Sequence, residues 1–250
     1  MATTIDGNRD PSLSPTGSNG APATKGYRGI AMEGRIARWY ARTRGTESQI
    51  VAWRKQAAAV AELLPGGGEV LEVAPGPGYF AIEMARLARL HVTGLDISRT
   101  FVAIATHNAR SAGMALTFRQ GDASRMPFDD GSFDVVVCQA AFKNFSRPQA
   151  AVDEMYRVLR PNGVARIEDM RRDASDAGIR EEVRAMHLGA FRALLTRSAL
   201  RSLRRRAYTV EEFRRFARAS PFGGGEVVTS GIGLELTMRR PRSSAASVPL

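Results

Sequence analysis

Three carboxylates stand where apolar stretches give way to turns: Glu72 in "EVLEVAPGPGYF", Asp96 in "HVTGLDIS" and Asp122 in "LTFRQGDASRMPF". Between the first two, Gly76-Pro77-Gly78-Tyr79-Phe80-Ala81 matches the dinucleotide fingerprint G-x-G-x-x-G/A. Asp96 follows Gly76 by twenty residues, where an acid would grip a ribose 2′-hydroxyl. On these features alone a nicotinamide dehydrogenase is admissible. Pro75 and Pro77, however, take two N–H groups out of the turn, and a diphosphate wants many such donors. Glu72 would repel a diphosphate and favour a cation. Asp122 adds a further acid at the same edge. Three acids at successive strand ends suit a ligand with hydroxyls, an amine and a cationic centre. S-adenosylmethionine has a ribose diol, an adenine amine, an α-ammonium and a sulfonium, and no phosphate.

The other reactive side chains offer less. Cys138 closes the apolar run "VVVC" without the acidic and proline context of a cysteine nucleophile, and reads as buried and inert. His91 begins a strand at the wrong end of the sheet, and His107 lies mid-helix. His187 falls in the region after the fifth strand and is a candidate general base. Lys143 and Asn144 in "AAFKNFSRP" are candidates either to orient an acceptor or to shape the loop. No Asp, Glu, His or Cys group has metal-ligand spacing, so no metal is expected.

The elements that must hold these residues are legible from periodicity. "EVLEVA", "HVTGLDI", "LTFRQGD", "FDVVVCQA" and "VARIED" read as strands, nearly continuous in apolar character, as expected when both faces are covered. Helices alternate with them: "YFAIEMARLARL", "SRTFVAIATHNARSAG" with Ser98 as N-cap and Gly113 as stop, and "RPQAAVDEMYRVLRPNG" ended by Pro161 and Gly163. The alternation predicts an α/β, doubly wound, Rossmann-like sheet. Its edge at the strand C-termini carries the acids.

Two helices precede the sheet, one with Met32, Ile36, Trp39 and Tyr40 on one face and one over "SQIVAWRKQAAAVAELL". After Asp169, residues 173–205 read as helical, with Ile179, Val183, Met186, Ala190 and Leu194 at helical spacing. Thr209 opens another helix, and Gly231 and Gly233 break the last apolar stretch into a hairpin.

The chain of 250 residues is long enough for one domain with a sizeable core. Residues 1–24 and 241–250 read as disordered or flexible tails, leaving 25–240 as a single domain. Within it we expect lid helices over 25–64, a cofactor-binding core over 69–169, an acceptor-side insert over 173–205, and a final helix and strands over 206–240. No apolar run reaches membrane-spanning length, the N-terminus has no secretory pattern, and one cysteine excludes a disulfide framework. These point to the cytoplasm. The net charge of +11 comes from arginine, since only Lys25, Lys55 and Lys143 are lysines. The excess is read as compositional bias more than as a nucleic-acid footprint. The cluster Arg201, Arg204, Arg205 and Arg206 reads as a solvated helix face, with an anionic-membrane or phosphate contact as alternatives.

Taken together, "VLEVAPGPGYF", "VTGLDIS", "GDASRMPFDDGSFDVVV" and "AVDEMYRVLRPNGVARIED" resemble the class I S-adenosylmethionine-dependent methyltransferases, and most closely the ubiquinone/menaquinone-type group. The resemblance implies a seven-stranded sheet, mostly parallel, with an antiparallel C-terminal hairpin. It implies that Glu72, Ala74, Gly76 and Gly78 line the methionine part of the cofactor. Asp96 would bind the ribose hydroxyls and Ile97 pack on adenine. Asp122 would accept from the adenine amine, the Ala123 backbone would meet a ring nitrogen, and Gln139 would lie near the methionine moiety. The family usually has glycine where Ala74 stands; we expect Ala74 in an ordinary strand-end conformation.

The expected activity is direct methyl transfer to a small lipophilic or aromatic acceptor, with lid and insert as pocket walls. His187, Lys143 and Tyr40 are the candidates for catalysis. An RNA methyltransferase is the alternative, although the Asn/Asp-Pro-Pro-aromatic motif of many base-amine methylators is missing. A nicotinamide oxidoreductase or a non-catalytic nucleoside binder comes after it. The oligomeric state is open, a homodimer included.

Overall fold

Alternating parity along the central strands decides the architecture. In β1 (Gly68–Val73), Leu71 and Val73 pack into one apolar cluster while Val70 packs into another on the opposite face. β4 (Phe133–Gln139) divides the same way, Val136 and Cys138 against Val135 and Val137. Each such side chain is fully buried, a transfer gain of roughly 1.5–3 kcal/mol apiece. A sheet apolar on both faces must be covered on both. The computed structural model, which describes residues 27–28, 32–87 and 89–242, shows that arrangement.

Besides β1 and β4, the sheet contains β2 (Leu90–Asp96), β3 (Thr117–Gln120), β5 (Leu159–Met170), β6 (Glu226–Ser230) and β7 (Gly233–Arg239). The strand order is β3-β2-β1-β4-β5-β7-β6. The first five strands are parallel, and β7 runs antiparallel to both β5 and β6. This is the expected seven-stranded, doubly wound sheet with its antiparallel hairpin. The order reverses between β1 and β4, which opens a crevice beyond their C-terminal ends.

One layer holds α2 (Glu47–Ala61), α3 (Tyr79–Ala85) and α4 (Arg99–Ser111), with α1 (Gly34–Arg42) against α4. The other holds α5 (Pro148–Val158) and α8 (Val210–Ala219). Ser98 caps α4, its hydroxyl accepting from the Phe101 N–H, and Gly113 leaves the helix at φ 70°. Thr209 and Glu212 form a capping box at the start of α8.

Three segments depart from the sequence reading. The helix after β1 ends at Ala85, because Leu90 is needed as a buried strand residue. β5 starts at Leu159, before Pro161 and Gly163. Its pairing jumps from Phe133↔Leu159 to Val135↔Val164, and Asn162, at φ 67°, donates its N–H to the Arg240 carbonyl at 3.0 Å. The insert is two helices, α6 (Asp176–Ala185) and α7 (Ala190–Arg206), separated by a turn in which His187 takes φ 49°. Ile179 and Val183 are buried, but the apolar spacing does not continue as one stripe: Met186 and Leu194 are exposed. The expected tails lie outside the described residues, apart from 241 and 242. So do residues 25, 26 and 29–31 at the start of the expected domain.

Candidate functional site

A cavity of about 850 Å³ lies at the C-terminal ends of β1, β2 and β4. α1 and the last turn of α7 wall its outer side. Strand register makes the convergence: Val73 pairs with Leu95 and with Cys138, and Asp96 with Gln120, so the ends of these strands lie side by side. Glu72, Ala74, Gly76 and Asp96 line the cavity, and so do Ile97, Asp122, Ala123 and Gln139. Tyr40 and Lys143 line it as well.

Gly78 and His187 are not among the lining residues. Gly78, at φ 80°, faces the other way; a Cβ there would lie 2.8 Å from Ala105 Cβ and 3.0 Å from Phe118 Cζ. Glycine is required there for packing the turn on α4 and β3. His187 sits in the exposed α6–α7 turn.

The turn from β1 to α3 has no spare donor. The Ala74 N–H bonds the Leu95 carbonyl at 2.7 Å, the Gly76 N–H bonds Asp96 Oδ2 at 3.0 Å, and the Gly78 N–H bonds the Pro75 carbonyl at 3.0 Å. The prolines contribute none. Ala74 does not adopt the expected extended conformation. It is left-handed, at φ 59°, because the strand must turn sharply under the ligand edge. Ala140, at the end of β4, is left-handed too, at φ 53°. Two alanines in a region that costs an L-residue about 1–2 kcal/mol thus flank the switch point.

Two buried acids meet at this edge. Glu72 is 3% exposed and lies near the Ala81 N–H in the first turn of α3, which favours its ionised form. Its Oε2 is buried without a hydrogen-bond partner among the described residues. Burial, then the neighbouring Asp96, push its pKa up to about 8. Asp96 is 5% exposed and accepts from the Ser98 N–H at 2.8 Å as well as from Gly76. Burial raises it to about 6 against those two hydrogen bonds. Asp122 differs: burial pushes it up, but the Ser124 N–H and hydroxyl and the Arg147 guanidinium, 3.0 Å away, outweigh that and hold it below its usual value.

Lys143 is committed elsewhere. Its ammonium sits 2.7 Å from Asp169 Oδ1 and also donates to the Ala140 carbonyl, while its backbone N–H donates to Asp169 Oδ2 at 2.8 Å. It is a buried strut between β5 and the 3₁₀ turn at Phe142–Asn144. Cys138 is buried, and burial holds its thiol well above the ordinary value. Sequence reasoning did not single out Tyr27 or Arg44, which also line the cavity; Arg206, read as part of a solvated arginine cluster, is exposed and lines it too. Tyr27 arrives by a bridge to Phe145, and its neighbour Arg28 bonds the Tyr208 hydroxyl at 2.8 Å.

Comparison with known proteins agrees with the geometry. Residues 71–167 match the family model described as a methyltransferase domain. Over 112 residues the chain is 39% identical to the demethylmenaquinone methyltransferase of Deinococcus radiodurans, covering 44% of this chain and 46% of that one. Over 100 residues it is 37% identical to the ubiquinone/menaquinone biosynthesis C-methyltransferase UbiE of Roseobacter denitrificans, covering 39% and 40%. The aligned segments thus span half or less of these relatives' length. A solved protein of Methanococcus maripaludis, assigned as an S-adenosyl-L-methionine-dependent methyltransferase, superposes with a TM-score of 0.68 at 17% identity, covering 87% of this chain and 98% of that one. The [4+2]-cyclase SpnF superposes at 0.53 with 23% identity, covering 87% of each chain. At these identities the superpositions speak to fold alone. Residues 71–167 are thus similar to a methyltransferase domain, and the cavity lies at the C-terminal ends of the strands they contribute.

Proposed function

We propose that the chain transfers a methyl group from S-adenosylmethionine to a small lipophilic or aromatic acceptor. One observation carries this reading: a buried carboxylate with an orphaned oxygen, Glu72 Oε2, stands beside Asp96 above a turn whose own N–H groups are all spent. Such a rim penalises a diphosphate and rewards a cation. The residues fit the cofactor: Glu72 would hold an ammonium or sulfonium charge, and Asp96, holding its backbone donors, would keep lone pairs for ribose hydroxyls. Asp122 and Ala123 lie along the same edge for the adenine.

The bound cofactor supplies a methyl group on a sulfonium leaving group. The chain's own part is positioning and the exclusion of water. Trp39 and Tyr40 from α1, Phe145 after the 3₁₀ turn and Leu203 from α7 give the acceptor side an apolar and aromatic lining. Relatives named for demethylmenaquinone methylation support an acceptor of that lipophilic class. Lys143, tied to Asp169, is not available as a base.

Calorimetry with S-adenosylhomocysteine and, separately, NADH tests the cofactor. The expected result is binding of the thioether and none of NADH; the reverse refutes the reading. Transfer of a labelled methyl group from S-adenosylmethionine to a short-chain demethylmenaquinol, the reduced hydroquinone whose ring carbon and hydroxyls are nucleophilic, followed by mass spectrometry, tests the acceptor class and reads out whether oxygen or carbon is methylated.

A further inference from the structure

The cavity has four cationic side chains in its lining, and three have a partner. Lys143 pairs with Asp169. Arg99 donates to the Gln120 side chain at 3.0 Å. The Arg44 guanidinium lies 4.6 Å above the Tyr40 ring. Arg206 has no hydrogen bond or ion pair among the described residues. It is also the last residue of α7, and its neighbours fix its place. Arg201 and Arg204 pair with Asp176 at 3.4 and 2.9 Å, and Arg204 donates to the Ala174 carbonyl at 2.8 Å. Two residues beyond Arg206, Tyr208 is buried and holds Arg28 by its hydroxyl. Arg28 in turn donates its N–H to the Asn144 carbonyl at 2.6 Å, which brings Tyr27 to the same wall.

We infer that Arg206, with Tyr27 beside it, is a recognition point for an anionic group on the acceptor, so that the acceptor is an apolar or aromatic body bearing a carboxylate or phenolate. The inference rests on the methyl-transfer reading above. Lys143 is neutralised by Asp169 and Glu33 is held by Thr100 and the Arg99 N–H; the acids Glu72, Asp96 and Asp122 line the strand ends, and Arg206 stands on the covering helix. An anion is repelled from the strand ends and drawn to the covering helix. Arg206 is near enough to act on the Tyr27 hydroxyl, whose pKa burial raises and the guanidinium lowers. An apolar body anchored there lies along Leu203, Phe145 and Trp39.

The two tryptophans of the chain, Trp39 and Trp53, both line the cavity, so their fluorescence reports binding. The full chain, saturated with S-adenosylhomocysteine, is titrated with 2-naphthoate and with its uncharged methyl ester. We expect the acid to bind about tenfold or more tightly than the ester, Arg206→Ala to remove that preference, and Arg206→Lys to restore part of it, with ester binding unchanged. Equal affinity for acid and ester, binding of neither, or an unaltered preference in Arg206→Ala overturns the inference. The methionyl carboxylate is the competing source of an anion. Should Arg206→Ala weaken S-adenosylhomocysteine but not 5′-methylthioadenosine, the guanidinium serves the cofactor and the inference falls. Failure of the wild-type chain to bind S-adenosylhomocysteine at all counts instead against the methyl-transfer reading.

Discussion

Replacing Glu72 with glutamine keeps the shape while removing the buried group that can ionise. In the folded chain the Glu72 carboxyl is raised to about 8 from an ordinary 4.5. Its contribution to stability is therefore fully present below pH 4.5 and is lost as pH rises toward 8, because the unfolded chain ionises where the folded one holds its proton. Asp96, raised to about 6, adds a similar loss that is finished by that pH and is common to both proteins. Between pH 6 and pH 8 the difference is left to Glu72, at about 1.4 kcal/mol per pH unit, or roughly 2–3 kcal/mol over the interval. Urea unfolding of the ligand-free chain at several pH values measures this. Wild type should lose that much relative to Glu72→Gln between pH 6 and 8, and the variant should be the more stable protein at pH 8. Affinity for S-adenosylmethionine should rise with pH in wild type and stay flat, and weaker, in the variant. Parallel stability curves for the two proteins would show that Glu72 is not held protonated, and the argument from an orphaned carboxylate would fail.

Two other substitutions test the geometry around it. Ala74→Gly should leave the chain as stable or raise its stability by up to about 1 kcal/mol, since glycine accepts φ 59° freely but gives back unfolded-state entropy; Ala74→Val should cost more than about 1 kcal/mol, both read from denaturation midpoints. Lys143→Met should destabilise the chain by about 3–5 kcal/mol by stranding the buried Asp169 charge, with activity of the molecules that remain folded largely kept, as active-site titration would show.

The sheet was legible because its evidence is repeated. Five apolar strands alternate with amphipathic helices, and an error at one boundary, as at Ala85 or Leu159, does not disturb the order. The acids were legible because they stand at strand ends. Conformation at single positions was not. Nothing in an alanine announces a left-handed backbone, so Ala74 and Ala140 emerge only when the strands are placed. Glycine has no side chain to show which way it faces, and Gly78 turned out to serve packing. Lys143 looked available until folding brought Asp169, 26 residues on, against it. Tyr27 carries no local signal, and the arginine cluster that holds Arg206 does not reveal that it borders a cavity, because that wall is assembled by contacts spanning most of the chain: Arg28 and Tyr208 are 180 residues apart.

That long-range stitch divides the labour of the molecule in an uneven way. Tyr27 and Arg28 belong to neither apolar cluster, yet Tyr27 lines the cavity and Arg28 ties it in place through Tyr208 and Asn144. Cutting the polypeptide after Arg28 would spare both packed layers of the sheet and still leave the chamber open on that flank, so a well-folded fragment lacking those residues is the wrong specimen in which to look for a bound acceptor.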